Sequence, residues 1–344
     1  MMKKMNSTSR PLVSIITINW NQAQVTNELL ASLKNTSYTN YEIIVVDNAS
    51  KGDDVRLILE AFPEIKLVRC DENLGFSGGN NAGISAADGK YILLLNNDTE
   101  VESGFLEPLV EHMESCPGTG IVSPKIYYYD NVGMIQYAGS SGINPYTGRG
   151  NFIGHNQMDA DVFNEAGVTA YSHGAAMLFS RELLNKIGPL DEQYFAYYEE
   201  LDFCERARKA GYEIHYVPQS TVFHKESMSI GKANPFKVYL TTRNRLLFMR
   251  KNYKGIALWI NLLFFTCLAL PKNVSYYLAR REFRFLFAFC RGFLWHFRNS
   301  PSNISPQQDE KRHEPVPVSV VTKKMASDGK SDAGMNKNKK MTNQ

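Results

Sequence analysis

Tyr41-Glu42-Ile43-Ile44-Val45-Val46-Asp47-Asn48-Ala49-Ser50 is an apolar, β-branched run that stops abruptly at a polar turn. Short runs of this kind read as buried strands. The same pattern recurs on both sides. Upstream, Leu12-Val13-Ser14-Ile15-Ile16-Thr17-Ile18 ends at Asn19-Trp20-Asn21; downstream, residues 65–69 and 91–95 are two more runs, the second closed by Asn96-Asn97-Asp98-Thr99. Between them the period changes. Val25, Leu29, Leu30 and Leu33 share one helical face up to about Lys34, and residues 54–62 also read as a helix. Strands alternating with helices predict a mostly parallel sheet with helices on both faces.

In open α/β sheets, ligands bind beyond the carboxyl ends of the strands. Asn19, Asp47, Asn48 and Asp98 all fall at such ends and are expected to converge on one crevice, although Asn and Asp also favour turns for their own sake. Before the last of these strands lies Asn73-Leu74-Gly75-Phe76-Ser77-Gly78-Gly79-Asn80-Asn81-Ala82-Gly83. Its glycines allow close backbone approach, and a helix starting near residues 77–79 would offer free N–H groups to an anion or a sugar hydroxyl. No Gly-Lys-Ser/Thr follows, and the stretch does not come after the first strand. It is therefore neither a phosphate-binding P-loop nor a dinucleotide fingerprint.

A second centre is Tyr198-Glu199-Glu200-Leu201-Asp202-Phe203-Cys204-Glu205-Arg206, where two adjacent carboxylates open a helix. Like charges resist joint ionisation when partly buried, so one carboxyl holds its proton more tightly, and a carboxylate so tuned suits general-base work. Acidic residues at a helix start also complement the helix dipole without any catalytic role. Residues 127–171 are rich in Gly, Asn and Tyr and read as a long irregular insertion. Residues 172–179 and 181–187 follow as a strand and a short helix, and 213–218 as another strand. His224 lies just beyond, an imidazole able to serve either as a hydrogen-bonded surface residue or as a metal ligand.

The 344 residues carry a net charge of +3, so bulk charge argues neither for nor against nucleic acid. Five scattered cysteines include no CxxC pair, which fits a reducing compartment and excludes a zinc knuckle. The polar start after Met1-Met2-Lys3-Lys4 carries no apolar signal segment, so the amino-terminal domain is expected to stay inside the cell.

Four motifs, in this order and spacing, carry a resemblance: Val45-Val46-Asp47-Asn48-Ala49-Ser50, residues 73–83, Leu94-Leu95-Asn96-Asn97-Asp98-Thr99, and residues 198–206. Together they resemble the inverting family-two glycosyltransferases, and among these the bacterial rhamnosyltransferase-like members that build cell-surface polysaccharide. The resemblance implies a GT-A fold, a Rossmann-like mixed sheet flanked by helices, over residues 11–232. It implies nucleotide-sugar binding by Asn19, Asp47, Asn48, Asn73, Gly78, Asn80, Asn96 and Asn97. It implies Mg²⁺ or Mn²⁺ held by Asp98, Asn96 and His224, with Glu200 as general base and Glu199 and Asp202 beside it. Two departures stand out: Asn96 replaces the first aspartate of the family's Asp-x-Asp motif, and Glu200 replaces an aspartate. The implied partners are a nucleotide-diphosphate sugar donor, a glycan or polyprenyl-linked acceptor, and the inner face of the cytoplasmic membrane, with no nucleic acid. The Gln-x-x-Arg-Trp motif of processive synthases is absent, which favours transfer of one or a few sugars. A nucleotidyltransferase would need its glycine-rich signature after the first strand; an inactive sugar-binding scaffold remains open because of Asn96.

In residues 233–298, Arg243, Arg245, Arg250 and Lys251 interleave with apolar side chains. Residues 256–270 are then apolar over about 15 positions, short of the roughly 20 that cross a bilayer, and Pro271 reads as an interruption. An amphipathic helical extension lying in or partly inserted into the membrane is expected, its basic residues facing lipid phosphate. A helical cap on the catalytic domain is the competing reading. Residues 299–344 are polar, Lys-rich and aperiodic, which predicts disorder.

Overall fold

The computed structural model describes residues 10–52, 54–225, 234–299 and 319–321. The first part alternates as expected: β1 (Val13–Asn19), α1 (Ala23–Leu33), β2 (Tyr41–Asp47), α2 (Asp54–Ala61), β3 (Lys66–Arg69), α3 (Gly75–Ser85), β4 (Tyr91–Leu95). Then come β5 (Thr99–Val101), α4 (Leu106–Ser115), β6 (Thr119–Tyr128), β7 (Met134–Tyr137), β8 (Ser140–Ile143), β9 (Gly150–Phe152), β10 (Gln157–Met158) and β11 (Gly167–Val168). The chain continues with β12 (Ala176–Ser180), α5 (Arg181–Ile187), α6 (Glu199–Lys209), β13 (Glu213–His224), α7 (Pro235–Asn252), α8 (Gly255–Phe264), α9 (Leu270–Ala279), α10 (Phe283–Arg298) and β14 (Ser319–Val321).

The main sheet runs β10-β7-β6-β12-β4-β1-β2-β3-β14. β4, β1, β2 and β3 are parallel, as βα alternation requires. Beyond β4 the pairing turns antiparallel through β12, β6 and β7, so the sheet is mixed rather than mostly parallel. The reason is local. The chain after α4 returns through hairpin-like connections that periodicity in the first hundred residues does not announce. The sheet carries one apolar cluster on each face. Ile15, Leu29, Val45, Ile58, Leu93 and Leu109 belong to one, and Ile16, Val46, Leu94, Phe179, Phe203 and Phe248 to the other.

Residues 127–171 are not irregular. They form five short strands, and Ile135 and Tyr137 of β7 are fully buried beneath them. The turns between these strands carry the glycines and asparagines that suppressed the strand signal, among them Gly139, Gly148 and Gly154 with positive φ.

The carboxyl-terminal helices depart from expectation in two ways. First, Pro271 does not break the apolar segment. A π-helical stretch, Phe265–Ala269, precedes it, and the helix runs continuously from Gly255 to Ala279, with mean hydropathy 1.6 over its most apolar window. The wider turn removes the clash between a proline ring and the carbonyl four residues back. Second, most of the basic residues of α7 do not face lipid. Arg243 is buried and donates to the carbonyls of Gln193 and Tyr194. Lys251 pairs with Asp191, and Arg250 donates to His296 Nδ1 at 2.9 Å. Leu247, Phe248 and Met249 of α7 sit in the apolar cluster on the main sheet's second face, so α7 is a structural helix of that unit.

Ser319–Val321 add an antiparallel strand to β3. The rest of the segment expected to be disordered lies outside the described residues.

Candidate active site

The strand ends do bring the polar residues together, but many of their side chains are already committed to the fold. Asn19, buried at the end of β1, donates to Asp54 Oδ2 at 2.6 Å and Ser50 Oγ at 3.1 Å, and accepts from Thr26 Oγ1 at 2.8 Å. Asp47 Oδ1 accepts the Ser50 N–H at 3.0 Å. The Asn48 amide closes the turn before α3: its Nδ2 donates to Asn73 Oδ1 and the Gly75 carbonyl, and its Oδ1 accepts the Leu74 N–H at 2.9 Å. Asn73 Oδ1 in turn accepts the Gly75 N–H. Asn80 donates back to the Phe76 carbonyl at 3.0 Å, and Asn97 to Thr26 Oγ1 at 3.1 Å. Asn19, Asn48, Asn80 and Asn97 thus chiefly fasten the walls of the crevice, and Asp47 lies buried at the end of β2.

The glycine-rich stretch serves packing. α3 starts at Gly75, and the Phe76 and Ser77 N–H groups expected to face a ligand point at the Phe195 carbonyl, at 2.6 and 3.2 Å. Gly75 has φ +72, and a Cβ there would lie 2.3 Å from that same carbonyl oxygen. A Cβ at Gly83 would lie 2.4 Å from Ile16 and 2.9 Å from Val46, and one at Gly79 would lie 2.9 Å from Ile18. These glycines let the helix lie close on β1 and β2. Gly78 faces Leu74 of its own turn, at 2.7 Å.

At the end of β4, Asp98 and His224 meet. His224 Nδ1 is 2.7 Å from Gln136 Oε1, an atom that only accepts, so Nδ1 carries a proton. His224 Nε2 then faces Asp98 Oδ1 at 3.1 Å, with the Asn96 amide 3.5 Å from the same nitrogen. A buried carboxylate opposite an imidazole lone pair is stable only with a proton or a cation between them. The donor set of carboxylate oxygen, imidazole and amide therefore fits a divalent ion, which Asp98, His224 and Asn96 would hold. Among the described residues no group of three or more His, Cys, Asp or Glu could hold a metal by itself.

The acidic helix lies across from this pair. Glu199 is buried, Glu200 is half-buried, and each has one carboxyl oxygen, Oε2, buried without a hydrogen-bond partner. Burial, followed by the charge of Glu200, pushes Glu199 well above the usual carboxylate range. Burial also raises Glu200, though backbone N–H groups at the helix start and a hydrogen bond from Glu199 oppose it. One proton shared by the pair therefore resides on Glu199 and leaves Glu200 the better base. Asp202, expected beside the base, is instead an anchor. Its oxygens receive Arg206 Nε at 2.9 Å, Asn252 Nδ2 at 3.0 Å and the Tyr194 hydroxyl at 3.2 Å. Burial would raise its pKa, but Lys251 and Arg206 outweigh that and hold it below the usual range.

Residues 172–175 join the two halves. The Ala175 carbonyl accepts the Asn96 N–H at 2.9 Å, and Gly174 lies against Glu200, where a Cβ would be 3.7 Å from its Cγ. The His173 ring stands 6.0 Å from that of His224. Its Nδ1 accepts the Ala175 N–H at 3.1 Å, and burial, then the His224 charge, lowers its pKa to about 3. His173 is therefore a neutral imidazole with its proton on Nε2.

Sequence reasoning missed Asn244, Arg243, Asn81 and Gln136. Asn244 donates to the carbonyls of Tyr194, Ala196 and Tyr197 at 2.8–2.9 Å. The loop it holds is strained: Phe195, Tyr197 and Tyr198 have φ of 64, 72 and 77. Asn81 pins the same connection from α3, exchanging bonds with the Leu190 backbone. Nothing in the local sequence marks Asn244, because its partners lie about 50 positions away.

Residues 14–188 match a family model described as "Glycosyl transferase family 2". The chain is 30% identical over 266 residues to an uncharacterized protein of Sinorhizobium fredii; the match takes in 71% of this chain but only 28% of that protein's length. It is 20% identical to the N-acetylglucosaminyl-diphospho-decaprenol L-rhamnosyltransferase of Mycobacterium tuberculosis, over 71% of this chain and 86% of that one. Among solved structures, GalNAc-T7 with UDP, GalNAc and Mn²⁺ shares the fold with a TM-score of 0.60 at 16% identity, over 89% of this chain and 58% of that one.

Proposed function

The chain belongs to glycosyl transferase family 2, and from that premise we propose that it moves a sugar, rhamnose favoured, from a nucleotide diphosphate to a glycan or lipid-linked acceptor in cell-surface polysaccharide synthesis. The observation that carries the reading is the Glu199–Glu200 pair facing, across Gly174 and His173, a buried Asp98–His224 pair at the carboxyl edge of the parallel strands. A base and a site for diphosphate charge are what a single inverting displacement needs. The M. tuberculosis relative's name supports rhamnose and a lipid-linked acceptor.

In this reading the nucleotide lies over Asp47 and Asn48 and its diphosphate reaches Asp98. Asp98, His224 and Asn96 would hold Mg²⁺ or Mn²⁺, which neutralises the leaving group's charge when bound. Structural relatives solved with Mn²⁺ favour this assignment. Glu200 takes the proton of the acceptor hydroxyl as its oxygen bonds to the anomeric carbon and the bond to the diphosphate breaks. Glu199, protonated, donates to Glu200 and holds it in place. The exposed helix Gly255–Ala279 rests on the inner face of the cytoplasmic membrane, which makes the protein cytoplasmic and peripheral.

A panel of nucleotide sugars tested by thermal shift with and without Mn²⁺ decides the donor. One donor should raise Tm only with metal present, and Asp98→Ala should abolish that shift. No shift with any nucleotide would move the assignment to a scaffold without transfer activity.

A further inference from the structure

The acid–base pair has a neighbour that the transfer reaction leaves unused. The turn between β8 and β9 is tightly built. Asn144 Oδ1 accepts the N–H groups of Tyr146 and Thr147, and the backbones of Asn144 and Arg149 bond at 2.8 Å. Arg245 of α7 donates to the Thr147 carbonyl, and Asn261 of α8 donates to the Tyr146 carbonyl at 3.1 Å. The turn is thereby fixed between the catalytic unit and the apolar helix.

Two guanidinium groups flank this turn, near enough that the charge of Arg149 acts on Arg245. Arg149 lies over the Phe264 ring at 5.9 Å, and Arg245 over the adjacent Phe265 ring at 5.6 Å. Among the described residues no carboxylate is seen paired with either, and Arg245 Nε is buried with no hydrogen-bond acceptor. Two cations held together without an anion, one with an orphaned donor, call for an anionic ligand. Their surroundings say which. On one side is Tyr198, whose phenol feels Glu200 and both arginines. On the other is the exposed apolar helix, with Trp259 69% and Leu263 61% accessible.

The charges of Glu200, Arg245 and Arg149 all act on Tyr198, and both arginines lie over rings of the apolar helix. A lipid-linked glycan presents its groups in the same order: sugar hydroxyl, diphosphate, hydrocarbon. We propose that Arg149 and Arg245 seat the diphosphate of a polyprenyl-diphosphate-linked acceptor, presenting its sugar to Glu200. This rests on the transferase reading given above. The site is distinct from the donor's: Gly174 and His173 join Glu200 to the Asp98–His224 pair, whereas the arginines sit on Phe264 and Phe265 of the apolar helix. Both guanidiniums can offer parallel N–H groups to phosphate oxygens, a geometry that lysine does not reproduce.

The test uses the full-length protein and phosphatidylcholine vesicles doped with decaprenyl diphosphate, with decaprenol, or with phosphatidylglycerol at matched charge. The native protein should bind the diphosphate vesicles about tenfold more tightly than the decaprenol vesicles. Arg149→Ala, at an exposed position, should erase that difference while leaving binding to the other two unchanged. Arg245→Lys, which keeps the charge and can still reach Thr147, should retain part of it. Undiminished diphosphate preference in Arg149→Ala overturns the proposal. So does equal loss on phosphatidylglycerol, which would make the pair a general contact for anionic headgroups. The donor-induced thermal shift separates the two readings. If it persists in Arg149→Ala while the vesicle result fails, the transferase stands without this seat. If the native protein shows no donor shift, the transferase reading falls whatever the vesicles do.

Discussion

The chemistry of the site turns on which of two adjacent glutamates keeps the proton. Both have a buried, unpartnered oxygen, and both are raised above the ordinary value of 4.5, Glu199 the more strongly. Glu200→Gln should leave the donor-induced thermal shift intact while kcat falls by about 10³-fold, within the range for loss of a general base. Turnover near the native rate would place the base elsewhere. The acid limb of the kcat/KM profile should lie above the usual carboxylate range. Stability carries the same information with a definite sign. A folded-state pKa above the unfolded one means the native state binds more protons, so stability is full below 4.5 and is lost as pH rises toward the raised pKa. Glu199→Gln mimics the protonated acid. Its Tm should equal the native value at low pH and exceed it increasingly as pH rises toward neutrality. A gain independent of pH would mean that Glu199 is not the strained member. The adjacency of these two acids was legible in the sequence, as was the unequal sharing of their proton. The role of Asp202 was not, because its partners Tyr194, Lys251 and Asn252 converge from three separate segments.

At the scale of elements, the loop leading into α6 is held from outside itself. Residues 195–198 keep three non-glycine residues at positive φ, each costing about 1–3 kcal/mol, so the loop persists only because α7 and α3 fasten its carbonyls. Asn244→Ala should cost about 2–3 kcal/mol and lower kcat, since the start of α6 is no longer fixed. Asn244→Asp has nearly the same shape but places a carboxylate against three carbonyl oxygens. It should unfold at a lower temperature than the alanine variant. The reverse order would show that packing, not donation, is what Asn244 supplies. The same scale explains where sequence reading succeeded. β1, β2 and β4 are continuous apolar runs, and their polar ends mark the crevice. It misread the 73–83 stretch because glycine serves a close helix–sheet contact and a close ligand approach equally well. Only the positions of Ile16, Val46 and Phe195 separate the two.

For the whole molecule, the question is how the apolar helix meets a bilayer. Gly255–Ala279 is long enough to cross one, and counting apolar residues up to Pro271 understated it because a π turn carries the helix through. Yet its middle is not free. Phe265 and Ala269 are buried against Leu246 of α7 and Phe289 of α10, and α10 lies along α7, with Gly292 packed on Tyr239. A helix bound at its midpoint to the catalytic unit cannot place that midpoint at the centre of a bilayer without dragging the unit in. What stays exposed is one flank: Ile256, Trp259, Leu263 and Leu268, joined by Phe283, Phe287 and Phe297 of α10. A helix lying in the interface buries such a flank and leaves the opposite side packed on protein. Burying a large apolar side chain is worth roughly 1.5–3 kcal/mol, so Trp259→Glu should weaken flotation with phosphatidylcholine vesicles by about tenfold or more. It should leave donor binding unchanged, because Trp259 is exposed on α8, away from the carboxyl ends of β1, β2 and β4. The variant should also sediment as the native protein does in the absence of lipid. If instead Trp259→Glu splits an oligomer and vesicle binding is unaffected, the flank is a contact between copies of the chain. In that case the arginines beside it face a protein surface rather than lipid phosphate.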